Sequence, residues 1–123
     1  MHQNGFRLIV LTNSALPVAK AQMHSVGLAQ MCERIFSVDA VRKYKPHPEA
    51  YRYVAKELQV KTSDLVMIAA HPWDLMGAKA TGYDVAFVER AGTSWFHLAP
   101  KPKIVGPTLE EVATQLISRV AGI

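Results

Sequence analysis

Three short segments carry side chains whose types and spacing suit chemistry on a small anion. Thr12, Asn13 and Ser14 follow an aliphatic run, and their hydroxyls, amide and backbone N–H groups, at a helix N-terminus, suit a carboxylate or a phosphate. Lys45 precedes Pro46-His47-Pro48, where two prolines around one residue stiffen the loop and can aim the ammonium inward. His71, Pro72, Trp73 and Asp74 follow a second apolar run and supply an imidazole and a carboxylate. Taken singly, each has a plainer reading. Asn13 or Ser14 caps the helix that follows, a loop lysine is solvated, and Asp74 favours the positive end of its helix. Together they say more, provided the fold brings them to one crevice.

The pattern along the chain supplies such a fold. Arg7 to Leu11 is a compact aliphatic run suited to a strand buried on both faces, and a helix with Ala19, Met23 and Val26 on one face runs from there to about Gly27. Ile35 to Val38 reads as a second strand, and Pro48 opens a helix with Tyr51, Val54, Ala55 and Leu58 at a period of 3.6. Leu65 to Ala70 is the clearest strand, followed by a short helix from Trp73 to about Thr81 that stops at Gly82. Val85 to Val88 and Ile104-Val105 are further strands, separated by a loop over residues 89 to 103 with Gly92, Pro100 and Pro102. Thr108 to Val120 reads as a helix with a Thr108/Glu111 capping box and a stripe of Leu109, Val112, Leu116, Ile117 and Val120. Strands alternating with helices imply right-handed crossovers and a parallel α/β sheet, in which reactive groups collect beyond the carboxyl ends of the strands. All three polar segments lie at such ends.

Length and composition set the limits. With 123 residues, half of them hydrophobic, the chain suffices for one domain, 1–123, and is too short for two. The net charge of +4 comes from fourteen scattered Lys and Arg without interleaved aromatics, which excludes a nucleic-acid-binding pattern and leaves a mild attraction for anionic small molecules. No apolar run approaches a membrane span, and no secretory signal opens the chain, so a cytoplasmic location is expected. A lone cysteine, Cys32, forms no internal disulfide and no zinc set.

The segments Leu11-Thr12-Asn13-Ser14, Tyr44-Lys45-Pro46-His47-Pro48 and Ala69-Ala70-His71-Pro72-Trp73-Asp74 resemble the second, third and fourth motifs of the haloacid dehalogenase superfamily. The Trp-Asp pair followed by Gly77-Ala78 is most similar to its 2-haloacid dehalogenase branch. The superfamily's phosphatases hold Mg²⁺ with hard carboxylate oxygens, typically paired acids in the fourth motif. This segment offers Asp74 alone, so no metal and no cofactor are expected, and hydrolysis of a carbon–halogen bond fits better than phosphoryl transfer. The resemblance implies that Thr12 and Asn13 bind the substrate carboxylate, with Asn13 also helping to hold the departing halide. It further implies that Lys45 pairs with a nucleophilic aspartate and that Asp74 positions the water that cleaves the resulting ester. His71 stands where many dehalogenases have asparagine and Ala69 where many have serine. His71 is therefore assigned to substrate binding, and Trp73 to packing.

The nucleophile itself is missing. The family's aspartate ends the first strand of the fold, upstream of these motifs, and the helical cap lies upstream too. The four aspartates here, Asp39, Asp64, Asp74 and Asp84, lack that context. The resemblance thus covers the C-terminal half of the enzyme: a Rossmann-like parallel sheet flanked by helices, without its first strand and cap. Met1 to Gly5 reads as an interior helix end, which favours a truncated chain. In the family that first strand lies between the strands at 7–11 and 65–70. Without it, these two either pair directly or leave exposed edges, and exposed edges invite another chain. Dimerisation, a rearranged sheet or poor stability is expected. Two readings follow: a dehalogenase-type hydrolase, inactive as this chain, or a non-catalytic module that binds small carboxylates or pairs with another chain.

Overall fold

The computed structural model describes residues 7–25, 32–90, 92, 94–95 and 101–120, without the side chains of 119 and 120. Five strands and four helices follow in the order β1 (Ile9–Thr12), α1 (Leu16–Ser25), β2 (Arg34–Ser37), α2 (Pro48–Leu58), β3 (Val66–Ala69), α3 (Pro72–Ala80), β4 (Asp84–Val88), β5 (Ile104–Gly106) and α4 (Leu109–Val120), with single 3₁₀ turns at Val38–Ala40 and Thr62–Asp64. The alternation expected from the sequence is present, with boundaries shifted by a residue or two. Val26 and most of the loop over 89–103 lie outside the described residues.

The parallel strands fall into two sheets. β1 pairs with β2, Ile9 opposite Arg34 through Thr12 opposite Ser37. β3 pairs with β4, and β4 with β5, all parallel. No hydrogen-bonded pairing joins β1 to β3. Of the alternatives open from the sequence, direct pairing of these two strands is therefore the one that does not occur.

Burial follows from this split. Leu65 to Ala70 is the longest apolar run, yet in β3 Val66 is exposed and Met67, Ile68 and Ala69 are only half-buried, because among the described residues one edge of the strand has no neighbour. β1 is likewise half-buried along its whole length, against the expectation of a strand covered on both faces. In the middle of its sheet, β4 buries Ala86, Phe87 and Val88. Each large apolar side chain so buried contributes about 1.5–3 kcal/mol. Two clusters form the core. Ala86, Val88, Ile104, Val112 and Leu116 join β4 and β5 to α4. Tyr51, Ala78 and Tyr83 join α2 to α3, with Leu11 of β1 and Met67 of β3 packed against them.

Helix ends follow local chemistry. His47 caps α2, its Nδ1 accepting from Glu49 N–H at 3.1 Å, with Pro48 in the first turn where a missing N–H costs nothing. Gly82, at φ +104°, follows α3 in a conformation that suits glycine, and Thr62 Oγ1 lies where a Cβ would stand. On α4 the Thr108 hydroxyl accepts from Glu111 N–H at 3.2 Å. Leu109, expected on the buried stripe, is 48% exposed, while Val112 and Leu116 are buried.

Candidate functional site

The three polar segments meet at the carboxyl ends of β1, β2 and β3. Lys45 is their common point. Its Nζ lies 2.7 Å from Asp74 Oδ2, with both side chains almost wholly buried. Its backbone N–H donates to Asn13 Oδ1 at 2.8 Å, which ties the turn after β1 to the loop after β2. Asn13 thus anchors the Lys45 backbone through its amide oxygen. The Thr12 hydroxyl accepts from Ser14 N–H at 3.0 Å, closing the same turn. Thr12 is the last residue of β1, so the strand ends one residue later than the expected Leu11. The solvated-lysine reading does not hold, since the Lys45 ammonium is buried in an ion pair with Asp74, whereas Asp74 does stand in the first turn of α3, where the positive end of the helix favours a carboxylate.

Two site residues were not visible in the sequence. Tyr51 reads as one position of an apolar helix stripe, yet its hydroxyl donates to Asp74 Oδ1 at 2.6 Å, with the Asp74 carbonyl 2.8 Å away. The Asp74 carboxylate is therefore held on one oxygen by an ammonium and on the other by a phenol. Burial, and secondarily the hydrogen bond to Asp74, pushes the Tyr51 hydroxyl well above the usual phenol range, so it stays protonated. Tyr83 supports it from behind, donating to the Tyr51 carbonyl at 2.6 Å, with the rings edge-to-face. The second is Ser37, whose hydroxyl donates to Ser14 O at 2.8 Å and accepts from Asp39 N–H at 3.2 Å, joining β2 to the turn after β1. The only advance signal for Tyr51 was a phenol among aliphatic stripe residues, since a buried Tyr hydroxyl needs a partner.

Gly77 makes this arrangement fit. A Cβ there would lie 2.5 Å from Pro46 Cβ and 2.9 Å from the Tyr51 hydroxyl. Only glycine lets α3 approach the Lys45 loop closely enough for Asp74 to reach Lys45 and Tyr51 together.

His71 and Trp73 stand at the rim. His71 is exposed at the start of α3, makes no side-chain capping bond, and lies with its ring 5.7 Å from that of Trp73. Trp73, expected to pack inside, is 41% exposed, because α3 turns Asp74 and Leu75 inward and leaves position 73 facing out. A surface hollow of about 270 Å³, lined by Val38, Asp39, Arg42, Lys43 and Tyr44, borders the segment leading into Lys45, but neither Lys45 nor Asp74 lines it. Among the described residues no three His, Cys, Asp or Glu side chains gather so as to hold a metal ion. None of the described helices is long and apolar enough to cross a membrane.

A family profile described as haloacid dehalogenase-like hydrolase matches residues 1–82. The chain belongs to that family. Haloacetate dehalogenase H-2 of Moraxella sp. (strain B) is 31% identical over 112 residues, covering 91% of this chain and 50% of that protein. (S)-2-haloacid dehalogenase 2 of Pseudomonas sp. (strain CBS-3) is 28% identical over 109 residues, covering 89% of this chain and 48% of its own length. The solved L-2-haloacid dehalogenase of Xanthobacter autotrophicus with chloropropionic acid covalently bound overlays on 99% of this chain and 58% of its own, with a TM-score of 0.83 and 26% identity. This haloacid dehalogenase-like chain thus spans about half the length of the curated relatives it matches.

Proposed function

We propose that the chain is the C-terminal part of the core of a hydrolase that removes halogen from small 2-haloacids through an aspartyl ester, and that it does not turn over alone. The observation that carries this reading is the buried Lys45–Asp74 pair braced by Tyr51 at the strand ends. Such a pair presents an ammonium with further N–H groups to a reacting carboxylate and a carboxylate fixed near it to orient water. The relatives named haloacetate and 2-haloacid dehalogenases, and the solved one with chloropropionic acid attached, favour that substrate class.

In this reading Thr12 and Asn13 hold the substrate carboxylate, His71 lies at its edge, and Lys45 keeps an attacking aspartate ionised. That carboxylate displaces halide from the substrate's second carbon, the halide leaving with the bonding pair. Water oriented by Asp74 then cleaves the ester to a 2-hydroxy acid and restores the carboxylate. None of the four aspartates of this chain stands where the attack requires one. The site takes neither metal nor cofactor.

Titration of ¹⁵N-labelled chain with 2-chloropropionate tests the reading. The amides of Thr12, Asn13, Lys45 and His71 shift, Lys45→Ala loses the response, and no halide appears. Shifts confined to the Arg42-Lys43 hollow, or a response to phosphoglycolate that needs Mg²⁺, overturn the substrate class. Halide release abolished by Lys45→Ala overturns the inactivity.

The unpaired edges of β1 and β3 favour a second reading, a non-catalytic module that pairs with another polypeptide, as a homodimer or with a different chain. Sedimentation of the concentrated chain separates the two forms.

A further inference from the structure

The hollow beyond the end of β2 gathers charge that no other part of the fold engages. Val38, Asp39, Arg42, Lys43 and Tyr44 line a space of about 270 Å³, of which Val38 alone is buried. Among the described residues, the side chains of Asp39, Arg42 and Lys43 take part in no ion pair and no side-chain hydrogen bond. Two cations and one carboxylate therefore stand unpaired around an aliphatic residue, with a 66% exposed phenol beside them.

The backbone that carries these groups is pinned at each step. Asp39 N–H donates to Ser37 Oγ at 3.2 Å. The Val38 carbonyl accepts from Val41 N–H at 3.0 Å and from Arg42 N–H at 2.9 Å, and the Tyr44 carbonyl accepts from His47 N–H at 2.9 Å. The segment is thus ordered before any ligand arrives, which lowers the entropic cost of binding. Arg42 itself lies in the left-handed region, at φ +56°. Glycine or asparagine sits there at less cost than arginine. A strained residue over-determined by its surroundings points to a working position, and here the side chain so placed is a guanidinium at the hollow.

We infer that the hollow binds a free acidic amino acid, its two carboxylates on Arg42 and Lys43 and its ammonium on Asp39. The ligand's two negative charges and one positive mirror the lining's two positive and one negative. A plain dicarboxylate leaves Asp39 facing an anion without a partner, and a monocarboxylate such as a 2-haloacid leaves one cation unused. The methylenes of the amino acid suit Val38, and the Tyr44 hydroxyl offers a further donor. Neither Lys45 nor Asp74 lines the hollow, so the site stands apart from the hydrolase reading.

Titration of the full ¹⁵N-labelled chain with L-glutamate at low salt tests the site. The amides of Asp39, Arg42, Lys43 and Tyr44 shift together and saturate in the millimolar range, the affinity that a few exposed ion pairs support. Glutarate lacks the ammonium and glutamine lacks the second carboxylate. Each binds about three- to fivefold more weakly, the worth of one exposed charge pair. Asp39→Asn makes glutamate and glutarate equal. Arg42→Gly, which the left-handed backbone accepts, keeps the unfolding midpoint and makes glutamate and glutamine equal. Equal binding of all three ligands to the unaltered chain, or an Asp39→Asn variant that still prefers glutamate, would overturn the proposal. A stronger response to inorganic phosphate would also overturn it, leaving a plain anion site. So would glutamate shifts centred on Thr12, Asn13 and His71. The 2-chloropropionate titration is run without glutamate, so failure of one response leaves the other reading standing.

Discussion

In the three-stranded sheet, β4 has a neighbour on each side, and its Ala86, Phe87 and Val88 are buried beneath α4 and α3. In the two-stranded sheet, β1 is equally aliphatic and no residue of it is fully buried. The sequence patterns of the two strands are alike. What differs is whether a second neighbour exists, so burial here is a property of the assembly and not of the strand. The three-stranded part has its own core of β4, β5 and α4. The two-stranded part leans on it through Leu11 and through the polar contacts around Lys45. The site is therefore also the joint between an independently packed region and a dependent one.

The largest way to break this comparison is Asp74→Ala. It leaves the Lys45 ammonium buried without its carboxylate, a loss of about 3–5 kcal/mol by denaturant unfolding. The loss should fall unevenly: amides of β1 and β2 exchange faster than those of β4, because the variant cuts the joint and spares the α4 core. Uniform acceleration across both sheets would show that they unfold as one unit.

This dependence explains what the sequence could and could not reveal. Pattern located each described strand and helix, because each element's signal is local: the continuous apolar run of β4, the stripe of α2, the Thr108 cap of α4. The Lys45–Asp74 contact was reachable through the rule that reactive groups gather at parallel strand ends. Tyr51 was not, because a phenol on a helix stripe looks like core until its hydroxyl partner, 23 residues away, is placed. Trp73 failed for the opposite reason. Its type argues for burial, but the helix rotation that brings Asp74 and Leu75 inward turns it out. The exposure of β1 and β3 depended on a pairing that hydrophobicity alone does not report.

Gly77→Ala attacks the joint sterically. The new methyl meets Pro46 and the Tyr51 hydroxyl, and the α3–loop contact must open, at a cost of about 1–3 kcal/mol. The 2-chloropropionate response should weaken with it, since Lys45 and Asp74 are pulled apart.

Tyr51→Phe removes one hydrogen bond from a buried carboxylate and costs about 1–3 kcal/mol. It also sharpens the comparison through pH. The Tyr51 and Tyr83 hydroxyls are both raised, chiefly by burial. An unfolded chain releases phenol protons above about pH 10, while the folded chain still holds them. Their contribution to stability is complete below that pH and declines as pH rises past it. Tyr51→Phe should flatten the alkaline limb of the stability curve, and an unchanged limb would place the titration elsewhere.

The smallest effect is expected at the other end of the two-stranded sheet. Arg7 and Glu33, just ahead of β1 and β2, form an ion pair with two guanidinium nitrogens on one carboxylate. Its side-chain hydrogen bonds hold Glu33 below the usual carboxylate range and Arg7 above its own. Both groups are exposed, at 52% and 42%, so water and salt screen the attraction and side-chain ordering offsets much of it. Arg7→Ala should leave the unfolding midpoint unchanged within error, at low and at high salt. A clear loss at low salt that disappears at high salt would mean that β1 and β2 are clamped at their entrance as well as at Lys45. The two-stranded sheet would then hold together partly on its own, and Asp74→Ala would loosen it less than a single joint predicts.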